Sequence, residues 1–147
     1  MVDSLKLTAN VAQFAYDFDP DETDATDIAW KDMRDFKSFM VCFFRTVGTG
    51  DLDTFEILAN AASDGSGTDI TIKTHALTDQ PNALGDYIFL ECTASDLQSA
   101  NVSTATGTLR YVTASLEVAT TTDEGVVVYT FNNPGFANKG LTTQYVS

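Results

Sequence analysis

The chain has one histidine, two cysteines and eight basic residues, and each shortage narrows what it can do. Cys42 and Cys92 each sit inside an apolar run, with no CxxC and no Cys/His cluster, so the pattern offers no zinc site. The simplest reading is two buried thiols that pack as small hydrophobes. A disulfide would require neighbouring strands and an oxidising compartment. His75, the only histidine, has no nucleophile motif near it and no GxSxG elbow exists, so it reads as an edge or loop residue. No GxGxxG or Walker sequence is present. "GTG" at 48–50 and "GSG" at 65–67 are too short to cradle phosphate and read as turns.

Long hydrophobic runs are also missing. The longest, "FMVCFF" at 39–44, falls far below the roughly 20 residues that cross a bilayer. The opening "MVDSLKLTAN" has no basic stretch followed by a long apolar one, so no signal peptide is expected and synthesis in a cytoplasm is. Positive charge is scarce: 8 Lys and Arg face 21 Asp and Glu, for a formal net charge of −13. Such a surface repels phosphate backbones and anionic membranes, so neither nucleic acid nor membrane is an expected partner. The charge suits solubility or a basic partner surface.

What remains is ample for one core. Of 147 residues, 44 % are hydrophobic and 20 % charged, which is not a disordered composition. Thr is abundant and there are 10 Phe, so the chain leans toward pleated structure. Apolar stretches alternate with turn residues along its length. "TANVAQFAY" (8–16) reads as a first strand, and "SFMVCFFRTV" (38–47) as a central strand covered from both sides. "DTFEILAN" alternates, with Phe55, Ile57 and Ala59 on one face. "ITIKTH" points Ile70 and Ile72 inward, and "YIFLECTA", "TLRYVTASLEVAT" and "VVVYTF" complete the strands. Trp30, Met33, Phe36 and Met40 recur at three- and four-residue steps, predicting a short helix that Asp24 or Thr26 would cap. A further helical turn fits Asp96 to Ser99. The expected fold is all-β: an antiparallel β-sandwich or jelly roll of seven to eight strands with one short helical insert. One domain over 1–147 is expected, with extended arms at 1–7 and 132–147.

The stretch "DFDPDETD" (17–24) is the densest cluster of chemistry. Asp17, Asp19 and Asp21 match positions one, three and five of an EF-hand loop. Glu22 stands where the loop needs Gly, Ile28 where it needs a bidentate Glu, and Pro20 stiffens it, so no metal ligands are assigned. Three readings stay open: a solvated acidic loop, a looser calcium loop, and a contact loop meeting basic residues. Lys31, Arg34 and Lys37 lie just downstream and could answer it in the same chain or the next copy. Of the strand carboxylates, Glu56, Glu91 and Glu117 fall at alternating, solvent-facing positions, so no catalytic pair is assigned. Trp30, Tyr111 and Tyr129 could form a carbohydrate-stacking face or simply fill the core. No cofactor is expected.

Four segments in succession carry a resemblance: "WKDMRDFKSFMVCFFRTVGTGD", "DTFEILANAASDGSG", "YIFLECTASDLQ" and "TLRYVTASLEVATTTDEGVVVYTF". Their order and spacing over residues 28–131 resemble small structural proteins of tailed bacteriophages. The resemblance implies a non-enzymatic virion protein on the capsid surface, a head decoration or cement protein. Its partner would be the major capsid protein, and it would act as a homo-oligomer or in many copies. A tail or connector component is the nearest alternative. A soluble β-sandwich binding module for carbohydrate or calcium is the other.

Overall fold

The computed structural model describes residues 26–27, 29–76, 78–104, 107–119 and 123–134. The acidic stretch 17–24, the strand expected over 8–16 and the arm at 1–7 lie outside those residues. So does the C-terminal arm, apart from 132–134, which continue the last strand.

The described chain is mostly β, with two antiparallel sheets and one short helix, an arrangement consistent with a β-sandwich. In the first sheet β1 (Thr26–Asp27) and β2 (Lys31–Asp32) both pair with β7 (Tyr111–Val118), which pairs with β4 (Leu52–Asn60), which pairs with β5 (Ile70–Thr74). In the second, β6 (Tyr87–Thr93) and β8 (Glu124–Pro134) flank β3 (Phe36–Val47). The helix α1 (Ala94–Thr104) follows β6.

Two-residue alternation builds the core. β4 turns Phe55, Ile57 and Ala59 inward, as their spacing predicts, and β7 adds Val112, Ala114, Leu116 and Val118. β3 supplies Phe39, Val41 and Phe43 from the facing sheet, and β8 supplies Val127 and Tyr129. Ile70 and Ile72 pack against this cluster from β5. Each fully buried Phe, Ile or Val side chain contributes about 1.5–3 kcal/mol relative to exposure. Phe131 closes the end of the core, its ring 4.7 Å from Phe36 and 5.2 Å from Phe39.

The helix expected across Trp30, Met33, Phe36 and Met40 is not there. The Asp32 carboxylate accepts from the Arg34 backbone N–H at 2.9 Å, and Phe36 N–H donates to Met33 C=O at 3.0 Å. This is a tight Asx-type turn, and it hands the chain from β2 to β3. Phe36 and Met40 are four apart, an even number, so they share a strand face as readily as a helix face.

The one described helix instead starts at the sequence Thr93-Ala-Ser-Asp96, a capping box. Thr93 N–H and Oγ1 both donate to Asp96 Oδ2 at 2.8 Å, and Asp96 N–H donates back to Thr93 Oγ1 at 3.2 Å. Lys73 Nζ from β5 completes the corner, 3.0 Å from Asp96 Oδ1. Burial alone would raise the Asp96 carboxyl, but the Thr93 hydrogen bonds and Lys73 outweigh it and hold the group below its usual value. A depressed carboxyl stabilises the fold above its unfolded pKa, and that stability is lost as pH falls through the folded value. Asp96→Asn should therefore cost about 1 kcal/mol at pH 7 and almost nothing near pH 2. Urea unfolding at the two pH values checks this; an equal cost at both would show that charge plays no part.

The two cysteines are free and lie on opposite faces of one sheet. Cys92 faces inward on β6, paired with Phe39, whereas Cys42 faces outward on β3, paired with Phe89. Burial raises the Cys42 thiol, and burial with the nearby Asp96 charge pushes Cys92 up to about 12, so neither is a thiolate near neutral pH.

Candidate functional site

Arg45 continues the inward row of Phe39, Val41 and Phe43, which puts a guanidinium in the core at 1 % exposure. Its Nε donates to Pro81 C=O at 2.8 Å and one Nη to Gly50 C=O at 2.6 Å. Its other Nη faces the Asp123 carboxylate at 3.2 Å, as an ion pair without hydrogen-bond alignment. These three partners come from the three connections at one end of the sandwich, β3–β4, β5–β6 and β7–β8. A single side chain thus ties that whole end together. Gly48 allows it: with φ at +83°, it lets the chain pass where a Cβ would overlap Asp123 Oδ1.

Further bonds stiffen the same end. The Gln80 side chain bonds Leu52 twice, accepting from its N–H at 2.9 Å and donating to its C=O at 3.0 Å. His75 N–H donates to Phe55 C=O at 2.9 Å, and its Nε2 lies 2.8 Å from Asp79 C=O. Its ring meets Phe55 edge-on at 6.3 Å. His75 therefore serves as a loop anchor.

Beside this pinned end lies an exposed aromatic face. The outward residues of β3 and β6 pair as Phe44 with Tyr87 and Cys42 with Phe89, and β8 adds Val126 and Val128 opposite Phe44 and Cys42. Phe44, Tyr87 and Phe89 are 39, 61 and 59 % exposed, and the Phe44 and Tyr87 rings stand 5.8 Å apart. The central strand is thus not covered on both sides, contrary to its sequence reading. The outward face of the first sheet is polar by contrast. There Thr54 donates to Glu117 at 3.3 Å and Thr74 to Glu56 at 3.1 Å. An exposed apolar row on one face and a polar row on the other make the first the candidate interaction side.

No family model, curated protein or solved structure matches this chain.

The residues that sequence reasoning singled out are dispersed. Trp30 is half-buried against Gly65, Tyr111 lies under the Arg110 guanidinium at 5.1 Å, and Tyr129 is buried with Lys31 Nζ 5.1 Å from its ring centre. They form no common face. Arg34 and Arg110 both bind Asp32, and that bond raises the Arg110 pKa. Lys37 is exposed on β3. Glu91 is exposed, as expected, while Glu56 and Glu117 are half-buried in their Thr pairs. Among the described residues, no three His, Cys, Asp or Glu side chains gather as metal ligands. No described helix is long and apolar enough to cross a membrane.

Sequence reasoning missed Arg45, Asp123 and the aromatic face. Arg45 was detectable as a cation at an inward-parity position of an apolar strand. The face was detectable because both parities of "FMVCFF" and "YIFL" are apolar. Asp123, in a polar turn, carries no such signal.

Proposed function

We propose that this chain is a non-enzymatic structural protein of a bacteriophage virion, a decoration or cement protein on the outer capsid surface. The observation that carries the binding role is the exposed Phe44–Tyr87–Phe89 face held beside a pinned loop end. The phage assignment rests on the resemblance over residues 28–131. On this reading the major capsid protein is the partner, and many copies add interface energy to the shell. The protein is made in the host cytoplasm and resides on the virion. The fold is then an antiparallel sandwich or jelly roll of seven to eight strands, supported by two sheets closing on one core.

Co-sedimentation with purified capsids lacking the protein tests this. Wild type should pellet saturably with the particles. A Tyr87→Ser/Phe89→Ser variant, altered only at exposed positions, should keep its fold yet bind at least about tenfold more weakly. Undiminished binding by the variant would transfer the contact to the arms at 1–7 and 135–147. Binding lost in EDTA would make 17–24 a calcium-ordered contact. Absence of any binding would favour the tail or connector role, or a carbohydrate module using the same aromatic row for stacking.

A further inference from the structure

We infer that copies of this chain join head to tail, the Leu84 turn of one copy entering an apolar groove at the opposite end of the next. The inference goes beyond shell binding and does not depend on it.

The first element is a presented side chain. Leu84 is 76 % exposed at the tip of the β5–β6 connection. Asp86 N–H donates to Ala83 C=O at 3.0 Å, and Ala83 N–H donates to the Asp86 carboxylate at 2.9 Å. Gly85 takes φ +87° with open space around it, so only the backbone demands glycine there, as at the third position of a type II turn. The turn is fastened to β3: Gly85 N–H donates to Arg45 C=O at 3.0 Å, and Arg45 N–H to Asp86 C=O at 2.8 Å. A large apolar side chain held out on a preformed turn loses little entropy when a partner covers it.

The second element is a receptor. A groove of about 280 Å³ runs between α1, the 33–36 turn and residues 108–110. Met33, Leu97 and Leu109 floor it, and Arg34 and Arg110 stand along its lining. Phe36, also in its lining, begins β3, whereas Arg45 lies near the other end. Twelve residues of strand span about 40 Å, so a copy cannot fill its own groove with its own turn.

Charge selects the orientation. Around the turn end stand Asp51, Asp53, Asp79 and Asp86, while the only cation there among the described residues, Arg45, is buried against Asp123. Around the groove, Lys31, Arg34, Lys37 and Arg110 outnumber Asp32, Asp35 and Asp96. In a chain of net charge −13, copies side by side repel, and end-to-end placement brings unlike charge together. Because the two patches differ, the contact is heterologous and extends into a ring or a row.

Sedimentation velocity on the purified full chain, without capsids, tests the inference. Wild type should grow in size with concentration, more at low salt than at high. Leu84→Asp removes the knob, and Gln98→Trp on an exposed position of α1 fills the groove. Each should weaken association at least about tenfold while leaving the urea midpoint unchanged. Their equimolar mixture should form a heterodimer and stop, since one copy keeps a groove and the other a knob. Phe89→Ser should associate as wild type does. A wild type monomeric at every concentration, a Leu84→Asp variant that associates normally, or a mixture giving no heterodimer would each overturn the inference. None of these outcomes bears on capsid binding, which the aromatic-face variant tests separately.

Discussion

An Asp123→Ala variant should lose about 3–5 kcal/mol of stability, the expected result of leaving one buried charge without its partner. The side chains of Arg45 and Asp123 are 0 and 2 % exposed, so neither has solvent to fall back on. Domains of this kind hold about 5–15 kcal/mol in all, and the variant should unfold at much lower urea than wild type. Replacing both partners, as Arg45→Met with Asp123→Leu, should recover part of the loss, because well-packed apolar pairs often match a buried ion pair. Full recovery is not expected. Pro81 and Gly50 carbonyls would still lack the donors that Arg45 gives them. The deficit of the double variant therefore measures the loop ties, and the recovered share measures the charge pair. A loss below about 1 kcal/mol in Asp123→Ala would mean that the pair is solvated in solution and does not lock the end of the sandwich.

Gly125→Ala should be the second severe change. Gly125 is buried in β8, and a Cβ there would overlap the Phe43 ring and stand 2.8 Å from Phe44 C=O. The ring is fully buried and the carbonyl belongs to the central strand, so neither can move aside cheaply. Overpacking of this sort costs about 1–3 kcal/mol, and the backbone contact favours the upper end. A second change, Phe43→Leu, should be less harmful in the Gly125→Ala background than alone, since the two residues share one space. Urea unfolding of the four proteins gives the coupling. Simple additivity would show that the strand, not the ring, absorbs the methyl group.

Much of the sandwich was legible before any coordinates. Phe55, Ile57 and Ala59 declare their face because a strand buried on one side alternates, and Ile70 and Ile72 do the same. The misread helix shows where pattern fails. A turn between two strands restarted the period, so Met33 and Phe36 fell three apart by accident of the Asp32 turn. The helical turn expected at 96–99 is there and runs longer, over Ala94–Thr104; it buries Leu97 and little else in its described part, so almost no apolar period marks its extent. Its capping box was the better signal. The exposed aromatic face was hidden for another reason. Apolar residues at both parities look the same in sequence whether the second face meets a core or a partner. The exposure of Tyr87 and Phe89 shows that no core of the described chain covers that face.

The pairing of β3 sets when this molecule can form during its own synthesis. The strand lies early in the chain, yet its neighbours are β6 and β8, and Phe39 waits for Phe131. The three connections that Arg45 gathers close only when Asp123 has been made. Closing such distant pairs costs loop entropy before contacts repay it, which makes folding slow and late. Until β8 emerges, β3 lacks one of its two strand neighbours, the row Phe39, Val41 and Phe43 has no Val127, Tyr129 or Phe131 beside it, and a nascent chain carries that edge open to other chains. High copy number would sharpen that hazard, and the strong negative charge, which keeps unfinished chains apart, then acts first as protection during manufacture.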